Sequence, residues 1–140
     1  MIEQHYGELQ LPLALHRHLE KLLSCYTIPV QATRLVINYR ALDYYQTKQG
    51  LHPVEIQLKK NGDQWLVVFI ASFSFINTHH KSVDVELYFH LINHWCYQPD
   101  AGGRCDLLFS VRCITILKNT MLIISIITGI IPHLLYDLIL

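Results

Sequence analysis

The clearest hydrophobic pattern lies in the middle of the chain, where two extended runs flank Asn61-Gly62. An Asn-Gly pair between such runs predicts a tight hairpin turn, because both turn positions favour positive φ. The first run, residues 54–59, alternates between apolar and polar side chains, whereas the second is apolar at almost every position. A strand that is apolar on both faces is normally buried on both, so we expect protein on each side of the sheet. The predicted faces of the second run are Trp65, Val67, Phe69, Ala71 and Phe73 on one side and Leu66, Val68 and Ile70 on the other.

Further patterns place a helix and two more strands around this hairpin. Residues 11–26 carry leucines at helical spacing, with Pro12 suited to the first turn, and predict an amphipathic helix. Residues 33–40 and 83–90 alternate as strands, and we expect the former at an edge of the sheet. Residues 41–50 are predicted to form a short helical turn closed by Gly50, and residues 98–104 are predicted to form a loop. The pattern of residues 91–97 fits either a strand or a helix.

The chain of 140 residues therefore predicts one α+β domain. We expect an antiparallel meander sheet of about four to five strands, with the N-terminal helix on one face. An apolar C-terminal segment is expected to cover the other face or a partner subunit. Within the single domain, residues 1–106 are expected to form the globular core and residues 107–140 the apolar segment.

Two groups of residues resemble a known family. The segment Gly50–Leu58 reads GLHPVEIQL and precedes the Asn-Gly hairpin, and Asp84–Phe89 is followed by Trp-Cys-Tyr-Gln from Trp95 onward. These segments lie within residues 1–106 and resemble a bacterial family of short proteins known only as a domain of unknown function, which includes mobile gene-cassette products of marine bacteria. The resemblance implies a small, oligomeric α+β protein of the cytoplasm. It implies no catalytic or binding residue.

The C-terminal segment is almost free of charge, and its charged groups are Arg112, Lys118 and Asp137. One interpretation is a strand at 107–117, a buried segment at 121–131 and a last helix at 133–140. The segment at 121–131 is shorter than the about 20 residues that are needed to span the hydrocarbon core of a membrane. A second interpretation is a membrane anchor formed by residues 121–140. A third is an accidental apolar tail, acquired recently or read in a shifted frame. The sequence leaves these three interpretations open.

The charge balance of the chain bears on its partners. Lys and Arg number 11, as do Asp and Glu, so the formal net charge is zero and there is no basic surface for nucleic acid. We expect no nucleic-acid partner, and the apolar segment favours association with further copies of the chain. The four cysteines are irregularly spaced and the N-terminus lacks a secretory signal, so we expect free thiols in the cytoplasm. No feature predicts a cofactor, and a membrane partner is the less favoured interpretation.

The polar positions of the strand at 83–90 are the first candidates for chemistry. Alternate residues of a strand point to the same side, so these side chains are predicted to form a line. Carboxylates, a phenol and an imidazole on one surface are the groups that general acid–base catalysis uses, although an ordinary solvated strand face has the same composition. The catalytic candidates are Asp84, Glu86 and His90, with Tyr88 between them.

A second set of candidates combines imidazole and thiol groups, which are soft ligands suited to zinc. Its spacing matches no common zinc motif, and a free cysteine is also a small apolar side chain that is often buried. The metal candidates are His90, His94, Cys96 and Cys105.

Aromatic residues are the third set, because amphipathic rings favour both ligand pockets and protein interfaces. They also seal the edges of a core, and the sequence does not separate these roles. The candidates for a ligand or interface site are Tyr39, Tyr44, Tyr45, Tyr88, Trp95 and Tyr97. The leading interpretation is a small, non-enzymatic binding or protein-interaction module that forms homo-oligomers, with a small-molecule ligand as a further partner. The alternative is a small enzyme that uses Asp84, Glu86 and His90 in a cleft lined by tyrosines.

Overall fold

The computed structural model describes residues 1–77, 79–98, 103–106 and 134–139. A short N-terminal hairpin precedes a helix, and the described strands that follow form an antiparallel sheet. The elements are β1 (His5–Tyr6), β2 (Leu9–Gln10), α1 (Leu13–Ser24), β3 (Arg34–Ala41), α2 (Leu42–Thr47), β4 (Val54–Asn61), β5 (Gln64–Ser74), β6 (Asp84–His90), β7 (Trp95–Gln98), β8 (Gly103–Asp106) and β9 (Leu134–Ile139).

The hairpin predicted in the middle of the chain is confirmed, with β4 and β5 paired antiparallel from Asn61 and Gln64 outward. Its two turn residues are Gly62 and Asp63, one position later than predicted, and Gly62 takes the positive φ of 61°. The meander then continues through β6 and β7. The predicted α+β class with an antiparallel sheet and a helix is therefore confirmed.

The sheet extends beyond the predicted strands at both ends. Its five strands β3 to β7 confirm the four to five predicted, and within the described residues β8 and β9 add one strand at each end, in the order β8-β7-β6-β5-β4-β3-β9. The strand β3 is interior rather than at an edge, because β9 pairs with it through Ile37↔Leu138 and Asn38↔Asp137. Residues 134–139 form β9, whereas the first of the three interpretations of the C-terminal segment placed a last helix at 133–140. The predicted segments at 107–117 and 121–131 lie outside the described residues.

The helix α1 begins one residue after Pro12 and covers one face of the sheet. Its leucines are buried with the apolar side chains of β3 and β4 in one core, as the helical spacing predicts. A polar contact also links the layers, since His18 Nε2 lies 2.9 Å from the Tyr39 hydroxyl. We call this the helix-covered face and the opposite side the second face. The buried side chains shared by helix and strands include Leu15, Leu19, Leu22, Leu35, Ile37, Ile56 and Leu58.

A bulge in β5 changes which of its side chains share a face. Residues directly opposite each other in a ladder point to the same side. Leu58 pairs with Val67 but Ile56 pairs with Ile70, so Val68 is an extra residue in β5. The prediction that Phe69 lies on the same face as Val67 is therefore wrong, and Ile70 takes that place in the core. On the second face the apolar side chains of β5 are half-buried at Leu66, Phe69 and Phe73.

The N-terminal segment completes the edge of β5 that β6 leaves open. Pairing with β6 begins only at Phe69, so the earlier residues of β5 need other partners on that side. Ile2 forms a parallel bridge with Trp65, whose N–H donates to the Met1 carbonyl at 2.8 Å and whose carbonyl accepts from Glu3 at 2.9 Å. Residues 1–3 thus pair with β5 through an isolated bridge outside the named strands. Among the described residues no helix has the length and apolar character needed to cross a membrane.

Candidate functional site

A second bulge, in β6, rearranges the predicted line of acid–base residues. Ser72 pairs with Leu87 and Phe73 with Val85, so Glu86 is the extra residue between them. Its carboxylate turns to the helix-covered face, where Oε2 accepts a hydrogen bond from Ser72 Oγ at 3.2 Å. The single line predicted for Asp84, Glu86, Tyr88 and His90 does not form, because the bulge shifts the phase of the strand.

Glu86 instead forms a close pair with His52, which precedes β4. His52 Nδ1 lies 2.7 Å from Glu86 Oε2, and the two side chains are 41% and 33% exposed. An ionised carboxylate only accepts hydrogen bonds, so Nδ1 carries the proton in this contact. Within the described residues Nε2 of His52 makes no hydrogen bond. A neutral imidazole in this tautomer presents a lone pair at Nε2, which is the arrangement of an oriented base.

The helix α2 places a buried tyrosine beside this pair. The Tyr44 ring centroid lies 4.9 Å from that of His52, and the Tyr44 hydroxyl accepts the Phe75 N–H at 3.2 Å. Tyr44 is buried, whereas its neighbour Tyr45 is exposed. The helix ends at Thr47, and its C-cap residue Lys48 takes a left-handed φ of 58°, whereas the sequence predicts a closing glycine at position 50. The Tyr44 ring thus supports the face of His52 without bonding to it.

The second face of β5, β6 and β7 carries a continuous set of packed rings. The Tyr88 ring centroid lies 4.9 Å from that of Phe69 and 5.0 Å from that of Trp95. His90 stacks on Trp95 at 5.6 Å with an interplanar angle of 12°. All four side chains are half-buried, and burial, with a smaller effect from Glu55, raises the pKa of Tyr88 above its usual range. We call Phe69, Tyr88, His90 and Trp95 the aromatic row.

A small cavity of about 160 Å³ opens on the same second face, between β3, β4 and β5 and next to α2. Its lining combines groups of both charges with an amide, a phenol and apolar side chains. The side chains that bear on its chemistry are Asn38, Arg40, Tyr45, Glu55, Phe73 and Val83.

The remaining predicted site residues are spread over the molecule. Asp84 is exposed at the start of β6. Tyr39 is only 3% exposed and contacts His18, so it is a core residue. Tyr97 is 39% exposed and lies opposite Tyr88 in the ladder, beside the aromatic row.

The four metal candidates do not come together in the part of the chain that the structure describes. Cys96 pairs with Phe89, a core residue, whereas His90 pairs with Phe69 on the second face, so thiol and imidazole lie on opposite sides. His94 Nε2 lies 2.9 Å from the Tyr6 carbonyl. The side chain of Cys105 is outside the description. No three His, Cys, Asp or Glu residues among those described lie close enough to hold an ion.

Sequence patterns do not predict the side-chain contacts that depend on the register between distant strands. The pairing of His52 with Glu86 spans 34 positions and depends on the β6 bulge. Arg40 and Glu55 carry no local motif and meet at one cavity only because β3 and β4 are adjacent. The alternating patterns of β3 and β4 place Asn38 and Glu55 on the strand face opposite to the apolar positions. This is the one signal in the sequence that indicates the cavity.

A family model described as "Protein of unknown function (DUF2787)" matches residues 13–120. The chain belongs to the DUF2787 family. This confirms the resemblance seen in the sequence, and no activity is established for the family. Among curated proteins, none matches this DUF2787 chain.

Two solved structures share the fold of this DUF2787 protein. The hypothetical protein VC0508 from the VSP-II pathogenicity island of Vibrio cholerae is 17% identical, with a TM-score of 0.75, over 99% of this chain and 100% of that one. The conserved hypothetical protein VC1805 from pathogenicity island VPI-2 of Vibrio cholerae is 18% identical, with a TM-score of 0.72, over 98% of this chain and 100% of that one. At these identities the likeness shows the fold alone.

Proposed function

We propose that this DUF2787 protein is a non-enzymatic interaction module that assembles with further copies of itself through the second face of its sheet. The observation that carries the proposal is the aromatic row, in which Tyr88 and Trp95 stack at 5.0 Å and His90 stacks on Trp95. Large flat rings supply much contact area at little cost in side-chain entropy, and they are enriched in protein interfaces. The exposed ring of Tyr97 extends the row toward β8.

The charge of the chain favours a copy of itself as the partner. The formal net charge is zero, so two molecules approach without net repulsion. The apolar composition of residues 107–140 supports the same proposal, because this segment then covers the second face of its own sheet or of a neighbouring subunit. The thiol of Cys25, which forms no disulfide within the described residues, supports the cytoplasm as the compartment in which this occurs.

The proposal is tested by multi-angle light scattering of the full chain over a range of concentrations. We expect an oligomer whose dissociation constant rises at least about tenfold in Tyr97→Ser and Trp95→Ala, because truncation of an aromatic anchor costs on the order of 2 kcal/mol. Tyr26→Ala, at an equally exposed tyrosine that follows α1, serves as the control and should leave the mass unchanged. Circular dichroism shows whether each variant is folded. A monomer at every concentration would contradict the proposal.

The pair formed by His52 and Glu86 favours a second candidate function, a small hydrolytic enzyme. In this alternative, Glu86 fixes the tautomer through the 2.7 Å contact and His52 Nε2 acts as a general base toward water. Ser72 donates to Glu86 rather than to His52, so it positions the carboxylate and is not a nucleophile in this arrangement.

A chromogenic ester such as p-nitrophenyl acetate tests this alternative. Wild-type protein should hydrolyse the ester faster than an equal concentration of free imidazole, and His52→Gln should reduce the rate by about 10²-fold or more. The matched control is His5→Gln, at a histidine whose side chain is 66% exposed. Equal rates in all three proteins would remove the enzyme from consideration and leave the interaction module.

A further inference from the structure

The cavity between β3, β4 and β5 contains two opposite charges that are not paired with each other. Arg40 and Glu55 both line its volume of about 160 Å³. Within the described residues neither forms an ion pair, since the pairs found there all join histidines to Glu3, Glu20 or Glu86. Two opposite charges on one concave surface without a direct contact leave room for a ligand that carries both signs.

The third polar group of the cavity is the amide of Asn38, which is only 6% exposed. Asn38 stands opposite Glu55 in the ladder of β3 and β4, so the two side chains point to the same side of the sheet. A carboxamide has two donor hydrogens and an acceptor oxygen, so Asn38 adds neutral hydrogen-bonding groups to the two charges of the lining.

The volume of the cavity and its apolar lining limit the size and the side chain of a ligand. Its volume equals that of about five water molecules, which limits the ligand to a small molecule. Phe73 and Val83 form an apolar part of the lining, and the exposed Tyr45 stands at its border. The cavity thus offers a cation, an anion, an amide and a short apolar surface.

We propose that this cavity binds a small zwitterion of the α-amino acid class. Arg40 donates to the ligand carboxylate, Glu55 accepts from its ammonium group, and Asn38 completes the hydrogen bonding of the same polar end. The short apolar side chain of the ligand lies against Phe73 and Val83. The cavity lies on the second face, where Asn38, Glu55 and Ala71 are aligned with Tyr88 across the sheet, but its lining includes none of the four residues of the aromatic row.

Titration of the full chain with L-valine, followed by ¹H–¹⁵N NMR and by calorimetry, tests the proposal. We expect saturable shifts of the backbone amides of Asn38, Arg40 and Glu55. Isobutylamine lacks the carboxylate, isovalerate lacks the ammonium group, and N-acetyl-L-valine has no cationic nitrogen. Each should bind at least about tenfold more weakly, because each loses a charge-assisted hydrogen bond.

Substitutions of Arg40 and Glu55 test which end of the ligand each charge binds. Arg40→Gln and Glu55→Gln should each weaken L-valine binding at least about tenfold, and Glu55→Gln should leave the weak binding of isovalerate unchanged. Arg34→Gln, at an exposed arginine of the same strand, and Glu8→Gln, at an exposed glutamate, are the matched controls and should bind as wild type does.

Asn38→Leu separates a binding role from a structural one. Replacing the amide with an apolar group of similar size removes its hydrogen bonds to the ligand, so ligand binding should be lost while circular dichroism still shows a folded protein. Retained binding in Asn38→Leu, equal binding of N-acetyl-L-valine, or no saturable shift at millimolar L-valine would each overturn the proposal. Neither Tyr97 nor Trp95 lines the cavity, so titration of Tyr97→Ser and Trp95→Ala with L-valine distinguishes ligand binding from assembly through the same face.

Discussion

The hydroxyl of Tyr6 accepts a hydrogen bond from the Val67 N–H at 2.7 Å and thereby joins the N-terminal hairpin to the centre of the sheet. The same hydroxyl donates to the Glu3 carbonyl at 3.0 Å. Val67 lies just before the β5 bulge, in the part of β5 that β6 does not pair. A side chain 61 positions away therefore satisfies a buried backbone donor of the main sheet.

Tyr6→Phe should lower the free energy of unfolding by about 1–3 kcal/mol, because it leaves the Val67 N–H buried and unpaired while the ring still fills its place. Chemical denaturation with guanidinium measures the change. The matched control is Tyr45→Phe at an exposed tyrosine, which should change stability by less than about 0.5 kcal/mol. Equal stability of Tyr6→Phe and wild type would mean that water replaces the hydroxyl.

The same residue predicts a loss of stability in alkaline solution. Burial raises the pKa of Tyr6 from 10.0 to about 12. The unfolded chain therefore releases the phenol proton at a lower pH than the folded protein does. The contribution of Tyr6 is fully present below pH 10 and is lost as the pH rises through about 12, so the free energy of unfolding should fall across this interval.

Denaturation at several pH values measures this slope, and Tyr6→Phe provides the comparison. The variant lacks the group, so the difference in stability between wild type and variant should shrink as the pH rises from 10 toward 12. A difference that stays constant over this range would contradict the assignment.

Glu86→Gln should change the tautomer of His52. The carboxylate in wild type requires the proton on Nδ1, which lies 2.7 Å from Oε2, whereas a glutamine amide can also donate to that nitrogen. Imidazole ¹⁵N chemical shifts distinguish the two tautomers, and the Nδ1–H form should predominate only in wild type. Glu55→Gln, at a carboxylate outside this pair, is the control. The same tautomer in Glu86→Gln would show that the carboxylate does not orient the ring.

Local signals predicted the central elements of the fold. The Asn-Gly pair gave the hairpin to within one residue, and leucine spacing gave α1, observed at Leu13–Ser24. Both signals act between neighbours in sequence, where turn geometry and helical periodicity decide the structure. The strands at 33–40 and 83–90 were found for the same reason.

Features that depend on distant pairing escaped prediction. The bulges at Val68 and Glu86 each shift the faces of a strand, and nothing in their local alternation marks them. The bulge at Glu86 broke the predicted acid–base line and created the contact with His52. The local pattern of residues 134–139 indicates a helix, but these residues form a strand because they pair with β3. The register between strands, which local sequence patterns do not reveal, determines both the order of the sheet and the side chains that meet at the candidate sites.

Gly7→Ala should destabilise the protein through both backbone strain and a steric clash. Gly7 has a φ of +63°, and a Cβ built there would lie 3.0 Å from Cε1 of His94. Positive φ costs an alanine on the order of 1 kcal/mol, and displacement of the His94 ring from its 2.9 Å contact with the Tyr6 carbonyl adds to this cost. We expect a loss of about 2 kcal/mol or more in thermal or chemical unfolding.

Gly62→Ala is a matched control for this prediction, because Gly62 has a similar φ of +61° but no heavy atom within 4 Å of an added Cβ. It should therefore report the backbone strain alone. His94→Ala combined with Gly7→Ala should recover the steric part of the loss in a double-mutant cycle. Equal losses at Gly7 and Gly62 would show that the His94 ring moves aside without cost.

His18 predicts a loss of stability in mildly acidic solution. Burial, together with the nearby charge of Lys21, lowers the pKa of His18 below its usual value of 6.5. The unfolded chain therefore takes up a proton more readily than the folded protein does. The contribution of His18 is fully present above pH 6.5 and is lost as the pH falls through its lower folded value, so the free energy of unfolding should decrease in that direction.

The chain has nine histidines, so the prediction is a difference between variants. His18→Gln keeps a polar group near the Tyr39 hydroxyl, which lies 2.9 Å from Nε2, and removes the titration. Its stability should fall less steeply between pH 7 and pH 5 than that of wild type, whereas His5→Gln, at an exposed histidine, should keep the wild-type slope. A wild-type slope in His18→Gln would mean that other groups on the helix-covered face cause the acid sensitivity, and His16, which contacts the Ile2 carbonyl at 2.8 Å, is the next to substitute.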